Sequence, residues 1–309
     1  VPLIGVAMVT SGLLRAVGDA RRAMFVTLGG GVVGAALDPV FIFALDLGVT
    51  GAAMAAVLTR VMAAATGLVF AIRVHDLMGR LSGAAVIGDA RAILAIAGPV
   101  VLTQLSTPFG YAYLMAIAAR SGEEVAAGWA VLSRITPLLF GGIFALSGAV
   151  GPILGQNWGA GETGRVLRAF RDATIFAALY VGVVWALLRA GQGLLVEAFG
   201  LTGAGIEVVE AFAAYGAGAY VCAAWLFVAN AAFNNLGRPA WSMAANWTRD
   251  AAVIPLLALT LPAIPAPESA VAIQALAGAA VGLAALAAAH RHAARLGASP
   301  ALAPAARSG

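Results

Sequence analysis

The chain has 309 residues, of which 62% are apolar and 10% are charged, and its formal net charge is +4. Soluble globular chains average roughly 45–50% apolar and about 25% charged residues. So few charges cannot cover the surface of a water-soluble protein of this length. The composition argues against a soluble enzyme, a nucleic-acid binder and a disordered chain. It predicts an all-α, polytopic helix bundle whose surroundings are a lipid bilayer.

Eight apolar runs have a suitable length, since a helix needs about 20 mostly apolar residues to cross the hydrocarbon of a membrane. The predicted spans are 22–45, 48–72, 93–119, 125–154, 173–188, 206–232, 241–261 and 270–289. Residues 1–14 form a shorter run, and the chain begins with Val rather than Met. We expect that run to be the end of a helix whose beginning is absent, as in an N-terminally truncated chain.

The arginines predict the orientation of these spans. All 18 basic residues are Arg, and thirteen of them fall in alternate connections, at 15–22, 73–91, 165–171, 238 and 291–307. The intervening connections hold only Arg120 and Arg189. Arginine accumulates on the cytoplasmic side of membrane proteins. We therefore expect a multi-pass protein of the bacterial cytoplasmic (inner) membrane with a cytoplasmic C terminus, and no binding of nucleic acid.

Sequence signatures of catalysis and of metal binding are missing from the chain. Its single cysteine, Cys222, lies in an apolar run and is predicted to be a small packing residue. The three histidines fall in predicted cytoplasmic segments, where we interpret them as part of the topology-setting charge. We expect a protein that is not an enzyme and that has no cofactor and no metal site.

Two segments resemble each other at long range, which predicts an internal repeat. Residues 14–21 read LRAVGDAR and residues 233–240 read FNNLGRPA, an offset of 219. Residues 35–39 (AALDP) and 251–255 (AAVIP) follow at an offset of 216. Both copies have the same predicted orientation, so the repeat would be parallel, about an axis along the membrane normal.

Asp38 is the sharpest candidate for ion coupling, because ionisable groups at membrane depth are costly and often mark ion pathways. It lies within the span 22–45, and Pro39 beside it lacks a backbone donor and should open the helix. A carboxyl in a low dielectric can bind and release a proton near neutral pH. The alternative is an Asp near the outer interface with no carrier role.

Other polar residues at membrane depth have two possible roles. Arg60 and Arg134 are predicted near mid-depth, either as counter-charges to a carboxylate or bonded to backbone carbonyls. Arg249 and Asp250 are adjacent, and we expect them to extend to the inner interface. Substrate-lining candidates, for which packing is the alternative, occur on two spans: Gln104, Thr107 and Tyr111 on one, and Tyr215, Tyr220, Trp225 and Asn230 on the other.

Four stretches give the chain a resemblance to the multidrug and toxic compound extrusion (MATE) family of secondary transporters. The stretches are LRAVGD at 14–19, LDPVFIF at 37–43 with GVTGAA at 48–53, VGPILGQNWGAG at 150–161, and LGRP at 236–239 with Pro255. They occur in the order and spacing of the family's helices four to twelve. The residues that match its motifs include Gly18, Gly155, Gln156, Gly159 and Gly237.

The resemblance implies two six-helix bundles around a central cavity in a complete protein, of which about eight and a half helices are present in this chain. It implies export of amphipathic or cationic small molecules by antiport, through alternating access of the two bundles. The expected organisation is a remainder of the first bundle (helices 4–6) with a cytoplasmic linker at 1–92, the second bundle (helices 7–12) at 93–290 and a cytoplasmic tail at 291–309. We expect a monomer.

The coupling ion predicted from this resemblance is H⁺ rather than Na⁺. Positions where family members often carry Asn and Thr near the acidic residue are Gly34 and Ala56 in this chain. Hard cations need several oxygen ligands, so this difference weakens a sodium site. Two alternatives stay open: a flippase for lipid-linked precursors from the same superfamily, and a non-functional fragment of an exporter.

Overall fold

The computed structural model describes residues 2–77, 79, 83–261 and 267–298. Nearly all of these residues are helical and none of them lies in a β-strand, which confirms the all-α prediction. Arg80, Arg307 and the end of the predicted cytoplasmic tail, residues 299–309, lie outside the described part of the chain.

The α-helices, numbered in chain order within these residues, are α1 (Pro2–Ala16), α2 (Ala20–Pro39), α3 (Gly48–Val69), α4 (Gly83–Arg120), α5 (Glu123–Leu139), α6 (Gly141–Gly159), α7 (Thr163–Ala198), α8 (Ala204–Ala211), α9 (Ala217–Asn235), α10 (Pro239–Trp247), α11 (Ile254–Thr260) and α12 (Ser269–Ala298). Wider π-helical stretches continue α2 (Val40–Ala44) and α3 (Phe70–Val74), join α8 to α9 (Phe212–Gly216), and join α10 to α11 (Thr248–Val253).

Six helices among the described residues are long and apolar enough to cross a membrane, and a bent pair makes a possible seventh span. The bent pair is α5 with α6, which meet at 44° and together cover the predicted span 125–154. The predicted span 241–261 is helical from Pro239 to Thr260, but it does not qualify as a span by composition. Its adjacent Arg249 and Asp250 lower its mean hydropathy. Helix α1 is apolar but short, as predicted for the opening run.

The chain divides into two compact units, Val1–Gly88 and Asp89–Gly309, with a division close to the predicted end of the first bundle. In the first unit, α1, α2 and α3 pack against one another. Leu14, Ala23 and Val26 form its buried cluster, and Phe70 packs against them. Many apolar side chains of this unit remain exposed, including Met8, Val32 and Val49.

The second unit has a larger buried core. Its largest fully buried side chains are Trp129 on α5, Phe140 between α5 and α6, Phe170 on α7 and Phe233 on α9. Small residues allow the closest helix contacts. A Cβ atom on Gly282 of α12 would collide with the carbonyl oxygen of Cys222 in α9, so these backbones touch. Close packing of small residues is typical of helix contacts in membranes. Cys222 is itself buried, in agreement with the packing role predicted for it.

Candidate functional site

A groove in the first unit contains the predicted coupling residue. Asp38 and Arg60 both line this groove, which has a volume of about 590 Å³ and lies between α1, α2 and α3. Both residues are exposed within the unit, and no ion pair joins them in the part of the chain that the structure describes. Two opposite charges at predicted membrane depth thus share one groove without neutralising each other.

Thr59 is a polar residue of this groove that the sequence analysis missed. Its hydroxyl is buried and has no hydrogen-bond partner among the described residues. A Cβ atom on Gly34 would lie 3.2 Å from that hydroxyl, so the glycine leaves room for it. The position expected to supply a side-chain oxygen, Ala56, is one helical turn away on α3. The wall of the groove therefore contains a side-chain oxygen at a position that a linear match to the family motif would not select.

Pro39 changes the helix without ending it. The α-helical part of α2 ends at Pro39, and the next residues, Val40–Ala44, continue as a π-helix. The α-helical hydrogen-bond pattern thus changes at the proline while the chain stays helical, and the functional role predicted for this opening stays a prediction. A proline removes one backbone donor from the helix, and a wider turn accommodates that loss.

The second unit encloses a separate cavity of about 190 Å³. Helices α4, α5, α6, α9, α11 and α12 contribute to its wall, together with the π-helical residues on either side. The wall is mainly apolar and aromatic. Its polar residues are Thr107, Tyr111, Thr136, Tyr220, Arg249, Asp250 and Gln274.

Arg249 and Asp250 form an ion pair in the wall of this cavity. The Arg249 Nε and Nη2 atoms donate to the two carboxylate oxygens of Asp250 at 2.7 and 2.9 Å. Asp250 is 2% exposed. The expectation that the pair extends to the inner membrane interface is wrong. It rested on the rule that adjacent helical residues do not face one another, but the long Arg249 side chain folds back within a π-helical segment.

Helix α4 contributes two of its three predicted lining residues to the cavity. Thr107 and Tyr111 lie in the wall, and Gly110 lies between them. Gln104 does not line the cavity; it is exposed one turn before Thr107, beyond the end of the cavity. Its face of the helix was predicted correctly, but the sequence does not show how far along α4 the cavity reaches.

Three predicted lining residues near or on α9 make helix contacts outside the cavity. The Tyr215 hydroxyl lies 3.5 Å from Glu268 Oε2, and Trp225 Nε1 donates to the Thr174 carbonyl oxygen at 3.2 Å. Asn230 is buried and accepts a hydrogen bond from Asn246. The cavity instead meets the face with Gly216, Tyr220, Ala223 and Phe227. Of the four candidates on this span, Tyr220 lies in the cavity wall, whereas Tyr215, Trp225 and Asn230 lie outside it. The substrate-lining role of these three residues stays a prediction.

Arg134 lies on α5 with its side chain exposed. Neither of its predicted partners, a carboxylate or a backbone carbonyl, occurs within bonding distance among the residues described. Its role as a charge within the membrane stays a prediction.

The motif glycines Gly18 and Gly237 occupy two turns of equal geometry. We call residues 14–19 the first turn and residues 233–238 the second turn. Gly18 has φ +86° and Gly237 has φ +79°, a conformation that favours glycine. In the first turn Asp19 N donates to the Leu14 carbonyl oxygen at 2.8 Å, and in the second Arg238 N donates to that of Phe233 at 2.8 Å. The predicted sequence repeat therefore has the same backbone hydrogen bond in both copies.

A histidine later in the chain contacts each turn. His75 Nε2 lies 2.8 Å from Asp19 Oδ2, and His292 Nε2 lies 3.0 Å from the Leu236 carbonyl oxygen. The two histidines are 217 residues apart, between the repeat offsets of 216 and 219. From the sequence they were interpreted only as topology charge. Their separation, close to the repeat offset, was the signal that could have identified them.

Asp19 also caps α2. Its carboxylate accepts a hydrogen bond from the backbone N–H of Arg22 at 3.0 Å and pairs with the Arg22 guanidinium. That backbone bond, the guanidinium and His75 together hold the pKa of the Asp19 carboxyl well below its usual value. The family motif at this position therefore starts a helix and also ties the turn to the end of α3.

The motif at the end of α6 forms a third glycine turn. Gly161 has φ +74°, and Glu162 N donates to the Asn157 carbonyl oxygen at 2.9 Å. Gly155 packs near Asn235, with 3.7 Å between a Cβ at that position and Oδ1. Gln156 and Gly159 are exposed at the same helix end. These residues shape the end of α6, and none of them lines the cavity of the second unit.

Comparisons with known proteins agree with this architecture. The chain is 40% identical over 114 residues to an uncharacterised 21 kDa protein of Pseudomonas savastanoi, covering 37% of this chain and 38% of that protein. It is 31% identical over 177 residues to a FAD transporter of Shewanella oneidensis, covering 54% of this chain and 38% of the transporter. The chain thus spans less than two fifths of the length of these relatives.

A crystal structure of MATE superimposes with a TM-score of 0.85 at 20% identity, covering 96% of this chain and 68% of that one. This match shows the fold. The MatE family model matches residues 99–258, which is more than half of the chain. The chain therefore belongs to the MatE family, the multidrug and toxic compound extrusion family that its sequence motifs resemble.

Proposed function

We propose that the chain acts as a secondary transporter that exports amphipathic or cationic small molecules in exchange for protons, by alternating access of two bundles in the inner membrane. The observation that carries this proposal is the groove of the first unit. There Asp38 and Arg60 face the same space without an ion pair between them. Ionisable groups at membrane depth are costly and often mark ion pathways, which supports Asp38 as the coupling residue.

Proton binding at Asp38 would change the charge of the first unit. A group that carries charge in one state and none in the other favours different packings of the helices around it. Adjacent Pro39 and the π-helical stretch Val40–Ala44 give α2 a place to change its hydrogen bonding. Proton binding can in this way alter which packing of α2 is favoured.

The cargo is inferred from the cavity of the second unit and from the family. Aromatic side chains such as Tyr220, Phe144 and Phe227 suit the flat rings of amphipathic compounds. The relative from Shewanella oneidensis is a transporter of FAD, which also contains flat rings. A resistance profile in a pump-deficient bacterial host, with the chain expressed from its natural reading frame, would identify the compounds.

Dye efflux from everted membrane vesicles tests the coupling. Under an imposed pH gradient we expect Asp38→Asn to lose at least about tenfold in efflux rate, because the amide cannot take up the proton. Asp46→Asn is the matched control, since Asp46 is exposed eight residues later and lines no described cavity. Replacing Na⁺ by choline should leave the rate unchanged.

Two results would contradict the proposal. Equal efflux by Asp38→Asn and the unsubstituted protein would remove Asp38 from the mechanism. A strict requirement of efflux for Na⁺ would show that Na⁺ and not the proton is the coupling ion. The Thr59 hydroxyl, which has no hydrogen-bond partner among the described residues, would then be a candidate Na⁺ ligand.

A further inference from the structure

The cavity of the second unit holds one positive and one negative charge, and the two neutralise each other. Its ionisable lining residues are Arg249 and Asp250 with Tyr111 from α4 and Tyr220 from α9. Both tyrosines are neutral near pH 7. Helix α12 contributes an uncharged amide, Gln274, and α5 contributes Thr136. The cavity therefore has no net charge as long as Asp250 is ionised.

We infer that this cavity binds the anionic group of an amphipathic monocarboxylate, with Arg249 as its counter-charge and with uptake of one proton by Asp250. The inference rests on the proposed function and narrows its cargo, because it selects an anionic amphipathic compound over a cationic one for the cavity of the second unit. In the bound state, the ligand carboxylate replaces Asp250 as the partner of Arg249. The proton comes from solvent and bonds to one carboxylate oxygen of Asp250.

Charge balance in a low dielectric favours the binding of an anion together with a proton. A cation entering the neutral cavity would leave one uncompensated positive charge, and an anion alone would leave one negative charge; both are costly in an apolar wall. An anion and a proton entering together leave the total charge at zero. Protonated Asp250 keeps hydrogen-bonding capacity, because a carboxylic acid both donates and accepts.

Arg249 has the free donors that such a ligand needs. A guanidinium carries five N–H groups, and Asp250 engages only Nε and Nη2. Nη1 has no protein partner in the part of the chain that the structure describes, and it is not among the fully buried unsatisfied atoms. The Arg249 side chain keeps 15% of its surface exposed, against 3% for Asp250. The cation of the pair is therefore the more accessible member.

The position of Asp250 is set by a neighbouring helix. A Cβ atom on Gly110 of α4 would lie 2.8 Å from Asp250 Oδ1, so only glycine leaves room for the carboxylate there. The carboxylate is thus held deep in the wall while the guanidinium lies beside the open volume. A ligand can reach Arg249 without displacing the Asp250 backbone.

Equilibrium dialysis of the full chain in lipid nanodiscs tests the inference with radiolabelled 2-naphthoate. Matched probes of the same ring system are the neutral 2-naphthamide and a naphthylmethylammonium cation. We expect naphthoate to bind at least tenfold more tightly than either probe. Its affinity should rise about tenfold per unit fall in pH between pH 8 and 6, which corresponds to one proton taken up per ligand. A pH dye in weak buffer should detect that proton directly.

Variants of the pair separate its two roles. Asp250→Asn should bind naphthoate at both pH values without proton uptake, because Arg249 then has no anionic partner to lose. Arg249→Gln combined with Asp250→Asn removes both charges together, which avoids a lone buried charge, and it should lose at least tenfold in affinity. Arg171→Gln is the matched control, since Arg171 pairs with adjacent Asp172 on an exposed part of α7; it should bind like the unsubstituted chain.

Several outcomes would overturn the inference. They are equal binding of naphthamide, preference for the ammonium probe, unchanged affinity in the double variant, or retained proton uptake in Asp250→Asn. Because dialysis measures binding alone, a chain that binds naphthoate but exports nothing would contradict only the proposed function. A chain that exports dye but does not prefer naphthoate would contradict only the inference.

Discussion

The first turn and the second turn have the same backbone but are held by different chemistry. In each, a glycine with positive φ is followed by a residue whose N–H bonds to a carbonyl five residues earlier. In each, a histidine contacts the turn, 57 residues after Gly18 in the first and 55 residues after Gly237 in the second. The first turn presents a carboxylate to its histidine, whereas the second presents the carbonyl oxygen of Leu236.

The difference lies in the residue after the glycine. Asp19 in the first turn binds both Arg22 and His75. Arg238 occupies that place in the second turn and lies over the ring of Trp241, with 5.5 Å between its guanidinium carbon and the ring centroid. Backbone geometry is thus common to both copies, while among the residues that the structure describes only the first turn has an ionic contact. We expect the two turns to respond alike to changes of backbone and differently to changes of pH.

The largest expected effect comes from the glycines. Gly18→Ala and Gly237→Ala should each lower the free energy of unfolding by about 1–2 kcal/mol, since a Cβ disfavours the left-handed conformation. Gly12→Ala is the control, because Gly12 lies within α1 with open space around its Cβ position. Chemical denaturation in detergent measures all three. If only one of the two substitutions lowered the free energy of unfolding, the two turns would not be structurally equivalent.

A smaller effect is expected at the second histidine. His292→Phe keeps the ring contact with Trp241 but removes the hydrogen bond to Leu236, which should cost about 0.5–1.5 kcal/mol. His290→Phe is the control, since His290 makes a ring contact with Phe170 and is exposed. Equal stabilities of the two variants in a denaturant titration would show that the His292 contact contributes nothing.

The smallest effect is a dependence on acid pH confined to the first turn. The pKa of Asp19 is lowered by folding, so its stabilisation is present above the usual carboxyl value of about 4 and is lost as the pH falls toward the folded value. Asp19→Asn keeps the helix cap but removes the charge. Melting curves from pH 6 to pH 3 should therefore show a smaller acid-induced loss of stability in this variant. If Asp19→Asn lost as much stability between pH 6 and pH 3 as the unsubstituted chain, the acid-induced loss would come from other carboxyl groups.

Much of the fold could be predicted from composition and local signals. Apolar runs of about 20 residues gave the spans, because a membrane leaves a helix few alternatives. The bend between α5 and α6 was missed because the run 125–154 was interpreted as one span, although Pro137, Gly141 and Gly142 lie close to the bend. The predicted span 241–261 is helical but is not among the candidate membrane spans, because the charged residues Arg249 and Asp250 lower its mean hydropathy.

The candidate sites could be predicted only in part. Asp38 and Arg60 were identified because single charges stand out in apolar runs, and the structure places them in one groove. The burial of Asp250 was not predicted. Its partner is the adjacent residue, Arg249, and a contact between neighbours in sequence has no helical periodicity by which the sequence could indicate it. On α9, Tyr220 lines the cavity together with the small residue Ala223, while the polar Trp225 and Asn230 lie outside it. Polarity alone cannot show which face of a buried helix borders a cavity.

Single-cysteine labelling tests the central claim, that the chain spans a membrane with both turns on its cytoplasmic side. Cys222→Ala provides the background, and Val17→Cys, Ala240→Cys and Glu123→Cys place one exposed thiol in the first turn, just after the second turn and at the start of α5, respectively. In intact cells, a membrane-impermeant maleimide should label only the Glu123→Cys variant, and in everted vesicles it should label only the other two. Labelling of the Val17→Cys and Ala240→Cys variants from opposite sides would contradict the parallel repeat and the account built on it.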